Sequence, residues 1–167
     1  HVPGWNASVD AELVAASDIN EEVLTNWGNE HGISKRSTDP GQLLADPDID
    51  IIDICTPNNY HAPLAIAALE AGKHVMSETA SNTTLAEGVA LCRAVEETGR
   101  IYMLAENYPY TAFSQEMQRL YCTGEIGEAT YAEGEYNHPM DLEDVLRISP
   151  RLNHWRAWIP STYYCPH

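Results

Sequence analysis

Basic residues are scarce in this chain: Lys and Arg number nine against 25 Asp and Glu, a formal net charge of −16. Nucleic acids are held by clustered cations, and the nine here are scattered, so a nucleic-acid partner is not expected. No apolar run approaches the roughly 20 residues that span a bilayer, so no membrane partner is expected either. The four cysteines, Cys55, Cys92, Cys122 and Cys165, form no C-x-x-C pair. Their wide spacing reads as buried free thiols rather than a disulfide framework, which fits a reducing compartment. Internal repeats and low-complexity segments are absent. An initiator Met is also missing: the chain runs from His1-Val2-Pro3 to Tyr164-Cys165-Pro166-His167 and reads as an internal fragment. A cytoplasmic protein is expected, with an exported form left open because a leader could precede His1.

The informative stretch is Asp50 to Ala80. Ile51 to Cys55 is a short apolar run with β-branched bias, as in a strand buried in a parallel sheet. Thr56-Pro57-Asn58-Asn59 breaks it. Pro63 sits in the first turn of a helix from His61 to Ala71, where its missing N–H is harmless, and Leu64, Ala67, Ala68 and Ala71 share one face. Gly72 closes that helix, and His74 to Ser77 is the next strand, ending on Glu78-Thr79-Ala80. In open sheets built this way, ligands bind at the carboxyl ends of the strands. Thr56–Asn59 and Glu78–Ala80 should therefore line one crevice.

The same alternation extends in both directions. Glu12 to Ser17 reads as a strand and Glu21 to about Glu30 as a helix. Asp18 has two compatible readings: a helix N-cap with the D-x-x-E spacing of a capping box, or the acidic residue that bonds a dinucleotide ribose. Pro40 to Leu44 is a short helix. Thr84 to Glu87 has capping-box spacing ahead of a helix carried by Leu85, Val89, Cys92 and Val95 to Gly99. Ile101 to Ala105 is a strand ending on Glu106-Asn107-Tyr108-Pro109-Tyr110, and Ala112 to Cys122 a helix with Phe113, Met117 and Leu120 on one side. The repeated order indicates an α/β fold with a doubly wound parallel sheet. The texture then changes: Glu128 to His138 alternates as a strand of a larger open sheet, and Pro139 to His167 reads as a loop over a pocket. A domain boundary falls near Gly124, giving residues 1–123 and 124–167.

Ile54-Cys55-Thr56-Pro57-Asn58 with His61, the run Ala67 to Val75 followed by Glu78, and Gly124-Glu125-Ile126-Gly127-Glu128 together resemble the Gfo/Idh/MocA-type NAD(P)-dependent oxidoreductases. The resemblance implies a Rossmann-type domain, whose Gly-rich turn would lie before His1, followed by an α/β substrate domain with a large open sheet. That sheet could pair with a second copy of the chain. It also implies NAD as cofactor, with Asp18, Thr56, Pro57, Asn58, Asn59, His61, Glu78 and Asn107 on the cofactor side. Asp18 repels a 2′-phosphate, and no Arg or Lys follows it at once, which favours NAD over NADP.

Most dehydrogenases of that family have Glu-Lys-Pro where this chain has Glu78-Thr79-Ala80, and a threonine hydroxyl cannot be tuned toward neutrality as a desolvated lysine can. Glu106-Asn107 with Tyr110, His154-Trp155-Arg156, and Tyr164 with His167 are similar to the NAD-dependent retaining glycosidases of the same superfamily, the α-N-acetylgalactosaminidase type. This implies hydride removal from a sugar, elimination, water addition and hydride return, with Tyr164 or His167 as base, Tyr110 as acid or hydrogen-bond partner, and Glu78 as an orienting group. The expected substrate is a sugar or glycoside, acted on by net oxidation or by redox-assisted hydrolysis. A non-catalytic NAD- and sugar-binding regulator is the third reading. Trp155 and Trp158 suit a sugar face or a packed interface. His138, His154, His167 and Cys165 match no familiar ligand spacing, so no metal is expected.

Overall fold

The computed structural model describes residues 1–135, 139–149 and 153–157. The elements in chain order are α1 (Val2–Ala7), β1 (Ala15–Ser17), α2 (Glu21–Glu30), β2 (Lys35–Ser37), α3 (Pro40–Leu44), β3 (Ile51–Ile54), α4 (His61–Glu70), β4 (His74–Ser77), α5 (Leu85–Thr98), β5 (Tyr102–Leu104), α6 (Ala112–Cys122) and α7 (Leu142–Ile148). Among the described residues all strand pairing is parallel. β1 pairs with β2, with Ala16 opposite Arg36. β3, β4 and β5 form a second sheet in that order, with Ile52 opposite Val75 and Val75 opposite Tyr102. Parallel neighbours need crossover connections, and α4 and α5 supply them, so the α/β reading stands. No described helix is long and apolar enough to cross a membrane.

The core lies where α4 and α5 cover this second sheet: Ile54, Ala65, Ala68, Leu69, Val75, Leu91 and Ala94 are all buried. The face of α4 is rotated by about one residue from the expected Leu64, Ala67, Ala68 and Ala71. His61, Ala62, Ala65, Ala68 and Leu69 are inside, and Ala71 is exposed. A helix apolar nearly all round carries no stripe from which the phase can be read. In α5 the phase is likewise corrected. Leu85 is 85% exposed and Val89 and Cys92 are exposed, whereas Leu91 and Ala94 pack on the core. Phe113 and Met117 of α6 are also exposed rather than forming a packed side.

Helix ends follow local chemistry. The Thr84–Glu87 capping box is present in both directions, Glu87 N–H to Thr84 and Thr84 N–H to Glu87. α4 ends in a Schellman arrangement: Lys73 N–H donates to Ala68 O, Gly72 N–H donates to Leu69 O, and Gly72 adopts φ +82°. The N-cap of α2 is Asn20, whose side chain accepts from the Glu22 and Val23 N–H groups, so Asp18 is not the cap.

Three further expectations are corrected. Cys55, Cys92 and Cys122 are free thiols, but they lie on exposed residues rather than buried ones. α5 buries Leu91 and Ala94 instead, α6 buries no residue, and Cys55 lies just past β3, so spacing alone did not place them inside. The alternating segment from Glu128 forms no strand through residue 135. Alternation makes a strand only with a pairing partner, and no described strand lies beside this segment. The stretch after Pro139 contains α7, capped by Asp141 and acidic in its first turn, so it is not loop throughout. His138, Trp158, Tyr164, Cys165 and His167 lie outside the described residues. β2, between Gly32 and Asp39, was missed because Lys35-Arg36-Ser37 is polar and too short to carry a period.

Candidate functional site at the carboxyl edge of the second sheet

Because β3, β4 and β5 run in parallel, the segments that follow them share one edge. These segments are Thr56–Asn59, Glu78–Ala80 and Glu106–Tyr110. They are tied to the sheet by main-chain bonds: Glu78 N–H to Ile54 O at 2.9 Å and Ala105 N–H to Ser77 O at 2.8 Å. Asn58 is buried, while Thr56 and Asn59 are exposed on either side of the half-buried Pro57. Asn107 and Tyr110 are exposed, Tyr110 by 69%, and the Asn107 carbonyl accepts from the Tyr110 N–H at 3.0 Å. Tyr110 is therefore open for contact rather than a packed aromatic.

His61 is 1% exposed and joins two of these segments. Its Nδ1 faces the Ala80 carbonyl at 2.7 Å and its Nε2 the Thr56 carbonyl at 2.7 Å. The ring reaches backbone on both sides and is a clamp between the two lips of the crevice. Glu106 is buried, and its Oε1 accepts from the Tyr108 N–H at 3.1 Å. On β5, burial pushes the Tyr102 hydroxyl upward in pKa, opposed by neighbouring Ser77, although Tyr102 completes no hydrogen bond of normal geometry among the described residues.

A polar cluster that sequence reasoning missed lies beside Glu78. The His1 ring places Nε2 2.8 Å from Glu78 Oε1 and Nδ1 2.9 Å from both Asp53 oxygens. Trp5 Nε1 donates to Asp53 Oδ2 at 2.7 Å. The Cys55 thiol sits 3.5 Å from His1 Nδ1 and 3.7 Å from Asp53 Oδ1. One signal was available: a carboxylate within the apolar run Ile51 to Ile54 must find a partner. Asp53 has its pKa raised by burial, against the opposing bonds from Trp5 and Cys55. Although Cys55 as a residue is exposed, its thiol is packed into this cluster. Desolvation, and next the charges of Asp53 and Glu78, push it up to about 12.

His1, Asp53 and Cys55 bring three metal-ligand types within 4.8 Å of one another. Their spacing suits hydrogen bonding better than a metal. Zinc bonds of about 2.0–2.1 Å would hold nitrogen and oxygen ligands about 3.3 Å apart in a tetrahedron, whereas the His1–Asp53 separation is 2.9 Å.

Asp18 follows β1 of the first sheet and is exposed, its Oδ1 accepting from the Asn20 N–H at 2.7 Å. Arg36, opposite Ala16 on the paired strand, is turned away: it donates to the Thr25 carbonyl at 3.2 Å and also to that of Ile33. No guanidinium is thus offered beside Asp18 from β2. Lys35 of the same strand is paired with Asp46 at 2.6 Å, and a carboxylate at a strand end whose neighbouring cations are engaged elsewhere fits a ribose hydroxyl and not a 2′-phosphate. The exposed Thr56 and Asn59, next to the anchored Asn58, fit a dinucleotide lying along the edge.

Residues 1–106 match the family model described as oxidoreductase family, NAD-binding Rossmann fold. A levoglucosan dehydrogenase of Pseudarthrobacter phenanthrenivorans is 33% identical over 132 residues, covering 79% of this chain and 34% of that protein. A glycosyl hydrolase family 109 protein of Bacteroides fragilis is 33% identical over 161 residues, covering 95% of this chain and 33% of its own. The solved levoglucosan dehydrogenase complex with NADH and levoglucosan superimposes with a TM-score of 0.65 at 33% identity, over 68% of this chain and 31% of that one. The chain thus spans about a third of the length of these relatives. With the match over residues 1–106 and the parallel architecture in agreement, the chain belongs to the Gfo/Idh/MocA oxidoreductase family, in the part that forms its NAD-binding Rossmann fold.

Proposed function

We propose that this chain supplies the cofactor half of an NAD-dependent enzyme that moves a hydride to or from a sugar or glycoside. The observation that carries the reading is the single edge on which Thr56–Asn59, Glu78–Ala80 and Glu106–Tyr110 follow three parallel strands. In this reading Asp18 accepts from the ribose, Thr56 to Asn59 and Asn107 border the nicotinamide side, and His61 holds the two lips at a fixed spacing. Bound NAD supplies hydride acceptance and return. Glu78 orients the reactive end. Residues 1–123 form the cofactor domain, and 124–167 begin a substrate domain whose sheet could pair between subunits.

A second reading, redox-assisted glycoside hydrolysis, is favoured by Thr79, which puts a hydroxyl where the family's acid–base lysine usually stands. It is also supported by the glycosyl hydrolase family 109 relatives, which match 95% of the chain. Under it, proton movement falls to Tyr110, Tyr164 and His167.

The deciding experiment uses the complete protein with NAD⁺. Net NADH formation with free sugars supports the dehydrogenase. Release of nitrophenol from aryl glycosides, with deuterium exchange at sugar C2, supports the hydrolase. NADH binding with neither activity leaves a sensor. Thr79→Lys refines the result. If acid–base work has moved to the tyrosines and histidine, it brings no gain in dehydrogenase turnover. A gain of about tenfold or more, within the usual reach of a general acid–base group, would show that a lysine had simply been lost.

A further inference from the structure

The His1 ring is the short contact that orients Glu78. Apart from the 2.8 Å bond to Nε2, the hydrogen bond found for the Glu78 carboxylate is a longer one, 3.2 Å from the Thr79 N–H. Glu78 is 42% exposed at its side chain, and a glutamate has three rotatable bonds to fix. The other ring nitrogen is anchored deeper, by Asp53, which Trp5 holds in turn at 2.7 Å. Trp5, Asp53, His1 and Glu78 thus form one hydrogen-bonded line from the α1 side of the sheet to the crevice. Ionised carboxylates only accept, and a neutral imidazole donates from one nitrogen only, so both short contacts are satisfied together when both ring nitrogens carry protons or one of the two carboxyls does. The groups facing the ring are Asp53 and Cys55 from the end of β3, Glu78 after β4, and Trp5 of α1.

We propose that His1 is a positioning residue for Glu78, fixing its carboxylate at the cofactor side of the crevice through an anchor on Asp53. The inference rests on the reading of Glu78 as a cofactor-side group. It adds a residue that acts through Glu78 without touching cofactor or substrate.

The two nitrogens of the ring allow the two contacts to be separated. In His1→Gln the amide N–H can stand where Nε2 does and keep the bond to Glu78. In His1→Asn the amide reaches only the Nδ1 position and keeps the bond to Asp53. The complete protein is measured in both forms, with folding checked by circular dichroism. Loss of a hydrogen bond to a charged group corresponds to about tenfold. NADH affinity should therefore fall by about tenfold in His1→Asn and stay within about threefold of the parent in His1→Gln. Equal losses in both, or no loss in either, would overturn the proposal. A second readout does not need cofactor or turnover. In ¹⁵N spectra of the histidine rings, Glu78→Gln should move the His1 Nε2 resonance and leave those of His61 in place. A His1 resonance that ignores Glu78→Gln refutes the positioning role even if NADH binds. Conversely, a protein that couples His1 to Glu78 but turns over no sugar keeps the positioning role and loses the functional reading.

Discussion

Cys55 lies one residue beyond β3, and its sulfur is flanked by His1 and Asp53. With the thiol pushed up to about 12, the thiolate fraction at pH 8 is on the order of one part in ten thousand. Iodoacetamide at pH 8 should therefore modify Cys92 and Cys122 well before Cys55, and peptide mapping of the alkylated protein checks the order. Asp53 gives a pH prediction. Its folded pKa is raised above the ordinary 3.8, so its contribution to stability is fully present below pH 3.8 and is lost as pH rises through the raised value. Against Asp53→Asn, the parent should hold a larger advantage at pH 3.5 than at pH 7, read from urea midpoints. Of the residues in this cluster, Glu78 was read from the sequence and Asp53 could have been, because a charge within or directly after an apolar strand demands a partner. His1 was invisible. Its partners are 52 and 77 positions away, and only the folded sheet brings the ring to them.

Short-range chemistry made the elements readable. Thr84 and Glu87 are three apart, and the capping box forms as their spacing predicts. Thr84→Ala should cost about 1 kcal/mol, measured by chemical denaturation at neutral pH. The Glu87 pKa is lowered, foremost by its bond from the Thr83 hydroxyl, so its contribution is present above pH 4.5 and is lost as pH falls through the lowered value. Against Glu87→Gln, which cannot ionise, the advantage of the parent should accordingly shrink as pH falls through that lowered value. Gly72 was likewise legible, because a left-handed residue after an apolar helix is most cheaply glycine. Helix faces were not. Ala-rich α4 offers small residues on every side, and the buried side is chosen by β3, β4 and α5, which no local pattern encodes. Asp18 fell between these cases: the D-x-x-E spacing was real, but Asn20, two residues closer to the helix, took the cap.

At the scale of the molecule, the alternation of strands and helices was enough to give the parallel sheet, because each connection is too long for a hairpin and each strand ends on polar residues. The alternating segment after Gly127 was misread for the complementary reason, since a strand is a property of two segments and one cannot reveal it. The same principle bears on β3. Among the described residues it pairs with β4 on one side only, and Ile51 is 43% exposed. A strand with an open flank and an apolar surface is a template for another backbone. These 167 residues, prepared alone, should therefore self-associate as concentration rises, and sedimentation velocity should show the weight-average mass climbing above 18.5 kDa. Flanking sequence that covers this flank should abolish the effect. The colloidal behaviour of the isolated polypeptide thus becomes a direct assay for whether the edge of β3 is capped.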